Sequence, residues 1–200
     1  MRKLAILTVA LAALAVPSLS HAQVSLGLRL GFAPVGGDAM KDLKMSDGIK
    51  SQIPIQLDAI YNLNKNVGLG GYFSYGLGQT ASDACGTGVS CSASVMRLGV
   101  QGTYTLDPMG QATPWAGVGI GYEWAKVSGG GETLTLKGFE FLNLQVGADF
   151  AVAPQLAVGP YLGMSVGQYS DAEISGTSAS IPDKSTHEWF QVGVRGKFDL

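Results

Sequence analysis

Charge is scarce in this chain. Asp, Glu, Lys and Arg make up 14% of its 200 residues, where soluble proteins carry roughly 25%. So few ionised groups cannot clothe an ordinary water-facing surface, and a large apolar area has to be hidden in some other way. Histidine and cysteine each occur twice, and one histidine, His21, lies in the N-terminal segment expected to be removed, so the three that remain fall short of the four ligands of a structural zinc site. No metal and no cofactor is expected. The formal net charge is −2, and −4 once Arg2 and Lys3 are discounted. A nucleic-acid binder needs a basic footprint, so nucleic acid is not an expected partner. Beyond the N-terminus no apolar run approaches the ~20 residues that a membrane-spanning helix requires.

The N-terminus itself has the features of an export signal. Arg2 and Lys3 form a positive start, residues 4–16 are apolar or small except for Thr8, and Pro17 breaks the segment. Ser20-His21-Ala22 then places small residues where a signal peptidase reads them. Residues 1–22 are therefore expected to be a cleaved signal peptide, cut after Ala22. The apolar stretch is short for a membrane anchor. No cysteine follows the cut, which argues against a lipoprotein. The mature chain, residues 23–200, suits one domain. Its two cysteines, Cys85 and Cys91, fit an oxidising compartment.

Glycine is abundant, 29 residues of 200, about twice the usual ~7%. It recurs in a pattern of period two. In residues 24–32 every even position is apolar (Val24, Leu26, Leu28, Leu30, Phe32), while Ser25, Gly27, Arg29 and Gly31 stand between them. That is a strand with one apolar face. Seven more segments repeat it, at 53–62, 67–78, 94–106, 114–125, 139–150, 156–168 and 188–200. Ile55 and Leu57 alternate with Gln56 and Asp58, Leu98 and Val100 with Arg97 and Gly99, Val118 and Ile120 with Gly117 and Gly119.

A soluble sheet also alternates, and a lipocalin-like barrel with a ligand in its mouth has the same period. Three features favour a membrane. The segments run to roughly 9–13 residues, against ~5–6 for soluble strands and ~9–11 for a tilted strand crossing a bilayer. The connections alternate: long at 34–52, 79–93, 126–138 and 169–186, short at 63–66, 107–113 and 151–155. Outer-membrane barrels have long external loops and short periplasmic turns. Aromatic residues on the apolar face gather near strand ends, with Phe32, Tyr75, Tyr122, Trp124 and Phe190 at one rim and Tyr61, Tyr104, Phe150 and Phe198 at the other. Two such girdles mark the headgroup levels. In lipid every backbone polar group must be paired, so the sheet has to close. The expected fold is all-β: an eight-stranded, antiparallel, up-and-down transmembrane barrel in a bacterial outer membrane.

On these segments, and on the closing strand Trp189-Phe190-Gln191-Val192-Gly193-Val194-Arg195-Gly196-Lys197-Phe198, the chain resembles the small outer-membrane β-barrels of the OmpA or OmpX transmembrane type. The resemblance covers the mature chain. It implies outer-membrane lipid as surroundings and a last strand read by the barrel assembly machinery. In that family the strand commonly ends in an aromatic residue; here the end is Phe198-Asp199-Leu200, with Phe198 and Leu200 on the lipid-facing parity.

By parity Arg29, Arg97, Arg195 and Lys197 point inward, as do Asp58, Glu123, Asp149 and Asp199. Opposed charges inside a narrow barrel are expected to pair and plug it, because an unpaired buried charge is very costly. The alternative is a narrow aqueous path for ions or small solutes. Inward glycines leave room for it, and inward Tyr72, Phe141 and Tyr161 would narrow it. Cys85 and Cys91 are expected to close a small disulfide loop, contributing on the order of 2 kcal/mol; a redox site would favour Cys-x-x-Cys. Ser185, His187 and Glu188 hint at a lipid-modifying hydrolase, but no orienting group or oxyanion site marks a triad, so no enzyme is expected. In the first long loop, residues 38–44 form one or two helical turns capped by Asp38. Calcium at Asp38, Asp42 and Asp47 lacks the spacing of a known loop. The expected role is structural and surface-interacting, with the external ligand of the loops unknown.

Overall fold

The structure is a computed structural model that describes residues 23–81, 84–85 and 90–200. The expected signal peptide, residues 1–22, lies outside the described residues. Among the described residues, ten strands and one short helix follow in order: β1 (Val24–Met40), β2 (Leu43–Lys44), α1 (Met45–Gly48), β3 (Ile49–Asn62), β4 (Val67–Thr80), β5 (Ser92–Thr105), β6 (Ala112–Gly129), β7 (Glu132–Ala153), β8 (Leu156–Ile174), β9 (Thr177–Ser180) and β10 (Thr186–Asp199). Eight of these are the staves of a barrel. Each pairs antiparallel with its neighbour from β1 and β3 through β8. Strand β10 then pairs with β8 from Thr186↔Gln168 to Phe198↔Leu156 and with β1 from Ser25↔Asp199 to Gly37↔His187, closing the ring. Closure leaves no stave with an open edge.

The alternation explains why these residues form these strands, and it produces a molecule turned inside out. Leu28, Leu30, Ile55, Leu57, Leu98, Val100, Ile120, Val146, Leu162 and Val194 face outward, each 42–60% exposed. Arg29, Gln56, Asp58, Arg97, Gln101, Glu123, Asn143 and Asp149 are buried inside. In water this arrangement would expose the apolar face and desolvate the charges, so it is stable only where the outside is hydrocarbon.

Three expectations are corrected. First, most of the long connections are strand. Residues 126–138 continue β6 and β7 as a hairpin pairing Lys126↔Thr135, Val127↔Leu134, Ser128↔Thr133 and Gly129↔Glu132. Gly130 and Gly131, at φ +63° and +86°, make the tight turn that their left-handed backbone allows. The glycine run that reads as a loop is thus only the tip. Much of 169–186 similarly extends β8 and adds β9. Second, residues 38–44 are not helical. Asp38 pairs with Lys44 and Met40 with Leu43 around a reversal at Asp42. The helical turn is α1, where Met45 is buried beneath the loop. Third, Phe141 does not point inward. In the β6–β7 register Gly119 faces Asn143 but Gly121 faces Glu140, so β7 carries one extra residue. Such a bulge reverses parity along the strand. It turns Phe141 outward, 48% exposed, and brings Glu140 into the interior.

Candidate functional site

The interior of the barrel is the site where charged side chains converge, and it is built in tiers. At the end that carries Val24 and Asp199, Ser25 Oγ donates to Asp199 at 2.6 Å and Asn62 Nδ2 donates to Ser25 at 2.7 Å. Lys197 Nζ is 3.0 Å from the same aspartate, and both members of that pair are about one-third exposed at the rim.

The next tier holds two arginines. Arg29 Nε lies 2.6 Å from Asp58 Oδ2, and its Nη1 donates to Gln145 Oε1. Gln56 and Gln101 each donate an amide hydrogen to Asp58 Oδ1, at 2.9 and 2.8 Å. Asp58 therefore accepts hydrogen bonds from three donors, which offset the cost of burying its carboxylate. Arg195 forks onto Asp149 through Nε and Nη2. Trp115 Nε1 also donates to Asp149, at 3.1 Å, and the Arg195 guanidinium lies 3.6 Å from the centre of the Trp115 ring. That cation–π contact helps to offset desolvation.

At the centre stands Arg97, fully buried. It donates to Glu140 Oε1 at 3.2 Å and to Ser165 Oγ at 3.1 Å. With its amide oriented oxygen-inward, Gln191 accepts from both terminal nitrogens of Arg97, at 2.6 and 2.9 Å. The Tyr72 hydroxyl donates to Glu140 Oε2 and Asn143 Nδ2 to Glu140 Oε1. Above this, Glu123 accepts from the Tyr169 hydroxyl and from Trp189 Nε1, and shares a hydrogen bond of 3.0 Å with His187 Nε2. The His187 ring stacks on Tyr169 with centroids 4.2 Å apart.

The structure thus joins Arg29 to Asp58 and Arg195 to Asp149, while Glu123 is engaged by aromatic donors and His187. The partner of Arg97 is Glu140, which simple alternation places outside. Reading charges alone also misses the aromatic lining: Trp115 and Trp189 sit on inward parity in their strands, and that position was the available signal. His187 bonds a carboxylate rather than Ser185. Among the described residues no cluster of His, Cys, Asp and Glu is arranged to hold a metal ion.

Several inward glycines face large rings from other strands. The place a Cβ would take at Gly99 is 2.5 Å from the Tyr72 ring, and at Gly147 it is 2.7 Å from Trp115. The Tyr161 hydroxyl lies 2.9 Å from the corresponding point at Gly31. Glycines on one strand are the slots for large rings from others, which is how a narrow barrel packs its interior.

On the outer face Phe32, Tyr61, Tyr75, Tyr104, Phe150, Phe190 and Phe198 are 40–52% exposed. Tyr122 and Trp124 are half-buried against each other, with centroids 4.7 Å apart. In the second long connection Cys85 and Cys91 form a disulfide.

A closed ring of eight antiparallel staves, apolar outside and charge-paired inside, defines an integral β-barrel of the bacterial outer membrane. A family model described as the outer membrane protein beta-barrel domain matches residues 4–198, and the chain belongs to that family. The fold is similar to that of Neisserial surface protein A, at 15% identity over 89% of this chain and 97% of that one, with a TM-score of 0.57. It is also similar to a major outer membrane protein from Thermus thermophilus, at 11% identity over 88% of this chain and 99% of that one, TM-score 0.55. At these identities the likeness is one of fold. No curated protein sequence matches the chain.

Proposed function

We propose that this protein is a closed, non-catalytic barrel whose role is to brace the outer membrane and present a binding surface on its long-loop side. The observation that carries the reading is the filled lumen. Arg29, Asp58, Arg97, Glu123, Glu140, Asp149 and Arg195 are all buried and all partnered within it. Ion pairs of this kind, desolvated and held by several hydrogen bonds, resist rearrangement because an opened pair leaves a bare charge behind. On this reading Phe32, Tyr75, Tyr122, Trp124 and Phe190 anchor the outer headgroup level, and Tyr61, Tyr104, Phe150 and Phe198 the inner one. The last strand, through Phe198 and Leu200, is the element offered to the barrel assembly machinery.

The test is single-channel recording of the refolded mature chain in a planar bilayer. Insertion is verified separately by the mobility difference between heated and unheated protein. The expected result is silence at all applied voltages. Steady, reproducible current steps would overturn the plugged-lumen reading in favour of a small ion or solute path. Arg29, Asp58, Arg97 and Glu123 would then be the residues to vary for selectivity.

A further inference from the structure

We propose that the outward mouth of the barrel is a binding site for a small, uncharged, apolar molecule. Within the bilayer region the inner face of β7 is polar, with Glu140, Asn143 and Gln145 buried there, and its outer face is apolar. Past the bulge the pattern inverts. Leu134 and Leu136 of β7, with Ala125 and Val127 of β6, line a cavity inside the mouth. On the other face of the same extension Lys137 bridges to Glu173, and Ser128 bonds Thr133 at 3.1 Å. Strands that leave lipid for water should reverse their faces in this way. The result is a short cup of soluble-barrel character standing on a membrane barrel.

The cavity has a volume of about 540 Å³, within the range of roughly 300–1,000 Å³ typical of small-molecule sites. Across from β6 and β7, Ala39, Met45 and Ile49, all three buried, form part of the wall, and Ala84 and Cys85 of the second long connection line it as well. The charged groups on the lining are Lys44, Asp47 and Glu132, which are exposed at the rim and of mixed sign. No ionisable side chain lies among the buried lining, so a charged occupant would be desolvated without a partner. Below, Tyr169 and Trp189 belong to the same apolar cluster as Met45 and Leu136 and turn their polar tips down onto Glu123. The cup is therefore floored, and a molecule entering it is held rather than passed on. This gives a chemistry to the surface ligand of the function proposed above and rests on that reading. It is tested independently of conductance, so a silent barrel that fails to bind overturns the site alone.

The experiment uses the mature protein in lipid nanodiscs with 13C-labelled methionine methyls and naphthalene as the probe. Met45 reports on the cup. Met96 and Met164, on the lipid-facing parity of β5 and β8, report on probe dissolved in the bilayer. The expected result is a saturable shift of Met45 while Met96 and Met164 respond in proportion to probe. Ala125→Phe fills the cup and abolishes the saturable response. Val127→Phe, at a half-buried position, serves if the first variant does not refold. Naphthalene-1-sulfonate, the same ring with a fixed charge, is expected to bind at least about tenfold more weakly. Three results would overturn the proposal: a Met45 response as linear as that of the lipid-facing methyls, one unchanged in the filled variant, or equal binding of the sulfonate. A Met45 signal that follows acyl-chain length in probe-free nanodiscs would also overturn it, by identifying bilayer lipid as the occupant.

Discussion

Replacing Arg97 by Ala is expected to lower the unfolding free energy of the barrel by about 3–5 kcal/mol, the range for breaking a buried ion pair from one side. Arg97 is inaccessible to solvent and ties together Glu140, Ser165 and Gln191, which reside on three different strands. Its removal leaves the Glu140 carboxylate, 1% exposed, with neutral donors from Tyr72 and Asn143 but without the cation it faces. The matched comparison is Lys197→Ala. Lys197 and Asp199 are about 30% exposed at the rim, where water and salt screen the pair, and the expected loss is below about 1 kcal/mol. The double variant Arg97→Met with Glu140→Leu removes both charges and should recover much of the loss of the single one. Urea unfolding of protein inserted in vesicles, followed by tryptophan fluorescence, reads all three. Equal and negligible losses for Arg97→Ala and Lys197→Ala would sink the paired-plug account of the lumen.

Gly99→Val is expected to destabilise the barrel by about 3 kcal/mol, at the upper end of ordinary overpacking, and to reduce the yield of refolded barrel. A Cβ at this position would overlap the Ile120 carbonyl oxygen on β6 and stand 2.5 Å from the Tyr72 ring and hydroxyl. The backbone oxygen cannot retreat without moving a strand. Tyr72 cannot retreat without giving up its hydrogen bond to Glu140. The first carbon of the new side chain thus disturbs both the wall and the central tier. Gly117→Ala is the control. It too lies on the inward parity, but its added Cβ meets nothing closer than 3.5 Å. A change within about 0.5 kcal/mol is expected there. Similar losses at both glycines would mean that strand propensity, rather than the slot for Tyr72, governs the effect.

The difference between these two glycines separates what was legible in the chain from what was not. Eight alternating segments, scarce charge and the parity of Leu28, Leu30, Leu57, Leu98 and Val100 suffice to specify a closed membrane barrel. A bilayer demands paired backbone and a continuous apolar face, and both demands act on each strand locally. The inward placement of Arg29, Asp58, Arg97, Glu123, Asp149 and Arg195 follows from the same period of two. What alternation cannot carry is anything that depends on a neighbouring strand. The extra residue in β7 is visible only against Gly119 and Gly121 across the ladder, so alternation alone puts Phe141 and Glu140 on the wrong faces. Residues 126–138 read as a long connection between alternating segments, yet they pair because the partner strand is there to pair with.

Partner choice inside the lumen is likewise a matter of three dimensions. Arg97 meets Glu140 from a distance of 43 residues, and Arg29 meets Gln145 from 116. No local pattern encodes such encounters, because they arise only when the ring closes. The sequence by itself determined the kind of solvent on each side of the wall, since that is a property of each residue and its immediate neighbours. Only the tertiary structure decided which donors and counter-ions each lumen charge meets, and that large rings stand against Gly31, Gly99 and Gly147. It also decided that the faces reverse again at the mouth, since each of these depends on which strand lies alongside which.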